Sequence, residues 1–75
     1  MKDMKFNYGD AVILGEIDAT GNSIKRPGSV VAITPVETEQ QTHAFGYPLG
    51  TVLYTVEFGD GSDQLVPEDA LERGT

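Results

Sequence analysis

The chain contains no cysteine. That excludes a disulfide framework and any thiolate metal site, and it fits a reducing compartment. Basic residues are scarce, five Lys and Arg against twelve Asp and Glu, for a formal charge of −7. Each contact to a nucleic-acid phosphate wants a lysine or arginine, so this balance opposes nucleic-acid binding. It equally opposes adhesion to an anionic membrane. No apolar run approaches membrane-spanning length, and the opening Met1-Lys2-Asp3-Met4-Lys5-Phe6 lacks the apolar stretch of a signal peptide. A cytoplasmic location is the resulting expectation. Histidine occurs once, at His43. Without cysteine it would have only carboxylates to complete a metal site, which argues against zinc or iron. No nucleophile, base and orienting group are spaced for a triad, and no phosphate-loop motif occurs. The chain is therefore expected to have no catalytic residues, no metal and no cofactor.

At 75 residues the chain, residues 1–75, is read as one domain. A chain this short buries only about 60% of the surface that it exposes when unfolded. A binding surface is then a more natural asset than a deep enclosed pocket.

Residues 51 to 71 organise the rest. Val52, Tyr54, Val56 and Phe58 alternate with Leu53, Thr55 and Glu57, which predicts a strand with one apolar and one mostly wet face. Gly59-Asp60-Gly61-Ser62 supplies the turn chemistry of a tight hairpin, and Gln64-Leu65-Val66 returns until Pro67 stops it. Pro67-Glu68-Asp69-Ala70-Leu71 reads as one helical turn, with Leu71 folding back onto the core.

Earlier in the chain, residues 1–8 form a lead-in with Phe6 and Tyr8 as candidate core contacts. Ala11-Val12-Ile13-Leu14 is the first strand. Residues 16–28 read as a polar, turn-rich connection. Residues 29–36 are the second strand, with Val31, Ile33 and Pro35 on one face and Val30 and Ala32 on the other. Residues 37–50 show no clear pattern, and two forms are open: a long bent hairpin or a loop without a strand partner. The whole predicts an all-β class, a small barrel of four to five antiparallel strands with one closing helical turn.

Two groups stand out for binding. The first is His43-Ala44-Phe45-Gly46-Tyr47-Pro48-Leu49, where Phe45, Tyr47 and Leu49 interrupt a polar stretch. Either an aromatic plugs one end of the core or it anchors a partner from a protruding loop. A cage of Tyr8, Phe45 and Tyr47 for a methylated ligand would need all three rings to converge. The second group is acidic. Glu57, Asp60, Asp63, Glu68, Asp69 and Glu72 crowd the last third, where Arg73 is the only base. Solubility alone accounts for such a face, and a basic protein partner is the sharper alternative. Asp60-Gly61-Ser62-Asp63 lacks the further ligands of a calcium loop and reads as hairpin chemistry. Phe45, Tyr47, Leu49, Glu57, Asp60, Asp63 and Asp69 are thus the candidate partner-binding residues.

The chain resembles SH3-like and Tudor-like small barrels at Gly9, Asp10 and Val12; at Gly28, Val30 and Ile33; at Tyr54, Val56, Phe58, Asp60 and Gly61; and at Val66, Pro67 and Leu71. The stretches Met4-Lys5-Phe6-Asn7-Tyr8-Gly9-Asp10-Ala11-Val12 and Glu68-Asp69-Ala70-Leu71-Glu72-Arg73-Gly74 resemble small immunity proteins of bacterial toxin systems. That resemblance implies a non-catalytic chain that covers and neutralises a basic toxin. A monomer is expected, or a weak homodimer where an imperfectly closed sheet edge pairs with itself. Tyr54-Thr55-Val56-Glu57-Phe58-Gly59-Asp60-Gly61 with Val66-Pro67 is similar to the RNA-polymerase-interacting domain of CarD-type regulators, which implies a transcription-associated module instead. A third likeness, to the barrel of the nitrile hydratase β-subunit, implies an accessory or chaperone role for a metalloenzyme.

Overall fold

A computed structural model describes residues 4–74. The first three residues of the lead-in lie outside the described residues. The elements are β1 (Ala11–Ile17), β2 (Ser23–Pro35), α1 (Glu39–Phe45), β3 (Val52–Phe58), β4 (Asp63–Pro67), a 3₁₀ turn (Glu68–Ala70) and β5 (Leu71–Arg73). All five strands join one antiparallel sheet in the order β4-β3-β2-β1-β5. The expected β class holds, with one short helix added.

The edges of this sheet, β4 and β5, are consecutive in the chain. Laid flat, five strands spaced about 4.8 Å would hold the edges about 19 Å apart. A 3₁₀ turn advances only about 2 Å per residue, and this one has three residues. The sheet must therefore curl to bring its edges together, and its concave face becomes the core.

That face buries Phe6, Val12, Leu14, Val30, Val52, Tyr54, Val56, Phe58, Val66 and Leu71 in one cluster. Each such side chain contributes about 1.5–3 kcal/mol by leaving water. Phe6 and Tyr54 meet edge to face with ring centroids 5.5 Å apart. At the far end the Arg26 guanidinium lies 3.9 Å from the centre of the Phe58 ring and closes the core there.

Several expectations are corrected. Residues 16–28 are mostly strand: β1 and β2 pair from Ala11↔Ser29 to Ile17↔Ser23 as a hairpin. This arm overhangs the sheet, because β3 ends at Phe58 opposite Gly28 and β5 reaches β1 only as far as Leu14. With no third strand and no core on the overhang, no apolar alternation is required there, which is why the segment looked like loop. Pro27 is tolerated within β2 for the same reason. Val30 N–H donates to Asp10 C=O at 3.0 Å on the β1 side. Period two then turns the Pro27 nitrogen away from β1, toward positions that β3 does not reach.

Val31 is the extra residue of a β-bulge between Val30 and Ala32 and is 46% exposed. The bulge moves Val30 onto the face of Ile33 and Pro35, opposite Val56, Tyr54 and Val52. Leu53, placed by alternation on a wet face, is fully buried outside the main cluster, and so is Val36. Val36 N–H donates to Thr51 C=O, and alternation puts Val36 and Leu53 diagonally on the convex face. Tyr8 is 68% exposed and takes no part in the core. Residues 37–50 are neither bent hairpin nor open loop, since they contain α1, and His43 is helical rather than a loop residue.

Candidate binding surface

The segment between β2 and β3 is built by capping and turn chemistry that fixes one exposed leucine. Thr38 caps α1: its hydroxyl accepts from Gln41 N–H at 3.1 Å, and Gln41 Oε1 accepts from Thr38 N–H at 3.0 Å. Gly46 ends the helix in the left-handed conformation, φ 79°, with its N–H donating to Thr42 C=O. Pro48 C=O then accepts from Thr51 N–H at 3.2 Å, closing a four-residue turn with Gly50 at φ 87° in the third position. Leu49 is the corner of that turn. Val36 clamps its base, donating to Thr51 C=O at 2.8 Å and accepting from Gly50 N–H at 2.9 Å. The leucine is 56% exposed because the turn leaves it no route inward.

Three open grooves meet at Leu49. One, of about 400 Å³, is walled by Met4, Pro35, Val36 and Val52, with Glu37 on its rim. A second, of about 440 Å³, runs past Val52 and Pro67 to Glu68 and Asp69. The third lies between Leu49, Pro48 and the Glu39, Thr42 and His43 side of α1. In the last of these Thr42 Oγ1 is buried without a hydrogen-bond partner.

The floor of this end is tied together by hydrogen bonds. Glu68 Oε2 accepts from the Tyr54 phenol at 2.6 Å and from Lys5 N–H at 3.0 Å, and the Tyr54 oxygen accepts from Phe6 N–H at 3.3 Å. Burial foremost, then the bond to Glu68, pushes the Tyr54 phenol above its ordinary range. The network ties the N-terminal segment to β3 and the 3₁₀ turn, so Met4 is held at the groove wall.

The candidate residues fall into three places. Leu49 and Asp69 line one groove. Phe45, 38% exposed, lies in the last turn of α1, and Tyr47 is half-buried after it. Tyr8, Phe45 and Tyr47 share none of the grooves around Leu49. Glu57, Asp60 and Asp63 are exposed at the other end of β3 and β4. Asp60 is occupied in the turn: its Oδ1 accepts from Ser62 N–H at 2.9 Å and from the Ser62 hydroxyl at 2.6 Å, which lowers its pKa. Among the described residues, no group of three or more His, Cys, Asp or Glu side chains is placed to hold a metal ion. No helix among the described residues is long and apolar enough to cross a membrane.

Met4, Pro35, Val52, Pro67 and Glu68 belong to the surface but were not singled out for it in the sequence. One signal was available. Pro35 and Pro67 end β2 and β4 opposite Val52 and Leu53, so two strand-stopping prolines mark the same end of the sheet. Comparison with protein-family models, with curated proteins and with solved structures gave no match for the chain.

Proposed function

We propose that the chain is a non-catalytic protein-binding module of SH3-like barrel form, and that it engages its partner through the surface around Leu49. The strand order β4-β3-β2-β1-β5, with a 3₁₀ turn joining the two edges, supports the barrel reading. One observation carries the function: an apolar side chain is held outward by a clamped turn at the meeting point of three grooves. An apolar side chain pre-organised in this way has less conformational freedom to lose on binding. Glu37, Glu68 and Asp69 rim the grooves and favour a basic partner, in keeping with the chain's charge of −7. In its most specific form the proposal is an immunity-type protein that neutralises a basic toxin.

Cross-linked co-purification of the tagged chain from its native cells tests this. The expected result is one stoichiometric basic protein, lost with Leu49→Asp and weakened by Asp69→Lys, while both variants melt within a few degrees of wild type. A partner retained by correctly folded Leu49→Asp would remove the surface assignment, and turnover by the purified chain would remove the non-enzymatic one.

A further inference from the structure

The outer edge of β4 is unpaired and has a defined chemistry. Phe58 N–H donates to Ser62 C=O at 2.8 Å, which starts the β3–β4 ladder. Alternation then makes Gln64 and Val66 the residues bonded to Val56 and Tyr54. Asp63 and Leu65 turn their N–H and C=O groups the other way. Among the described residues no protein group bonds to them, and β4 is a sheet edge.

Charge at this edge is unbalanced in a specific way. Asp63 stands directly opposite Glu57. Theirs is a pair not joined by backbone bonds, the arrangement that brings side chains closest, and like charges there destabilise a sheet. Neither carboxylate belongs to an ion pair, since the two among the described residues are Lys25–Glu72 and Arg26–Glu16. A cation beside Asp63 on an added strand would turn an acid–acid row into an acid–acid–base row. On the same face Leu65 is half-buried beside Thr55, and an apolar neighbour would cover it. The strand ends at Pro67, which lines the groove with Leu49 and Asp69. A second copy would bring another seven net negative charges to the edge instead of a cation.

We propose that the β4 edge receives an extended segment of the protein partner, paired through the backbone of Asp63 and Leu65, with a lysine or arginine beside Asp63 and an apolar residue beside Leu65. This deepens the function proposed above and rests on it. Strand addition of this kind draws affinity from main-chain bonds and specificity from alternate side chains.

The test uses the full chain and two synthetic eight-residue peptides of alternating threonine and valine. One carries a central lysine and the other glutamate in its place. The lysine peptide is expected to slow amide exchange at Asp63 and Leu65, and the glutamate peptide to bind at least about fivefold more weakly. Leu65→Pro removes an outward N–H while leaving the bonds to β3, so it should abolish the protection at Asp63. Should that variant fail to fold, Asp63→Lys decides: it should melt higher than wild type and reverse the preference between the peptides. Equal binding of the peptides, or no protection at Asp63 and Leu65 with either, overturns the proposal. So does protection that grows with chain concentration alone, which would make a second copy the occupant. If Leu49→Asp loses the native partner while Leu65→Pro and Asp63→Lys keep it, the groove reading stands and the strand docking falls.

Discussion

The β1–β2 and β3–β4 hairpins are closed by the same turn, yet one is easily read from the sequence and the other is not. Asp18 N–H donates to Asn22 C=O and Gly21 N–H to Asp18 C=O; Phe58 N–H donates to Ser62 C=O and Gly61 N–H to Phe58 C=O. Gly21 and Gly61 both sit at φ 87°. In each turn an aspartate gathers the loop: Asp18 accepts from the N–H groups of Thr20 and Asn22 and from the Thr20 hydroxyl, and Asp60 accepts from Ser62. The strands differ instead. Those of β3 and β4 lie over the core, so burial imposes alternation on them. The tip of the β1–β2 arm lies over nothing, leaving Ile17 74% and Ile24 39% exposed. Turn chemistry defines a hairpin, but only burial writes the strand pattern beside it.

Gly28 marks the boundary between the two regimes, and the largest effect is expected there. A Cβ on Gly28 would come within 2.6 Å of Val56 Cγ1 and 2.7 Å of Glu57 C=O. Backbone cannot yield as a flexible side chain can, so Gly28→Ala should cost about 1–3 kcal/mol in urea unfolding. A variant as stable as wild type would mean that β2 and β3 do not approach so closely.

Next come the paired turns. Gly61→Ala and Gly21→Ala each force a side chain into the left-handed region at about 1–2 kcal/mol. The Gly61 variant should lose that amount from global stability. The Gly21 variant should mainly speed amide exchange in the overhanging arm, with a smaller shift of the unfolding midpoint. Equal shifts would erase the distinction between core-backed and overhanging hairpins.

Acid should separate them again. The Thr20 hydroxyl and Asn22 N–H lower the pKa of Asp18, and Ser62 does so for Asp60. A carboxylate with a depressed folded pKa gives stability that is present above its ordinary, unfolded value near 3.8 and is lost as pH falls through the lower folded value. Acid unfolding should therefore be less steep in Asp60→Asn, whereas Asp18→Asn should alter only exchange at the arm's tip. The smallest effect belongs to the Lys25–Glu72 pair, 2.7 Å apart but 65% and 56% exposed at its two side chains. Lys25→Ala should leave the melting temperature nearly unchanged at physiological salt.

Residues 51 to 71 could be read well because their alternation, hairpin turn and closing 3₁₀ turn all follow from local chemistry. Leu53 was misjudged since a period of two separates the faces of a strand but does not say whether both are covered. The Val31 bulge carries no glycine or proline to announce it, and it moves Val30 from the face of Ala32 to the face of Ile33 and Pro35. The helix could have been found from Thr38 and Gln41, a capping pair at the right spacing, with Gly46 at its end. Among the candidate residues, Leu49 was visible as an apolar residue in a polar stretch. Its partners in the surface were not, because Met4, Pro35, Val52 and Pro67 meet it only after the sheet curls.

The central claim is that a protein partner covers the Leu49 end of the sheet and leaves the overhanging arm free. Amide exchange measured residue by residue, with and without the co-purified partner, tests it most directly. New protection is expected at residues 47–52 and at 68–69, with the amides of residues 16–24 unchanged. Protection confined to the arm, with residues 47–52 exchanging as in the free chain, would contradict it.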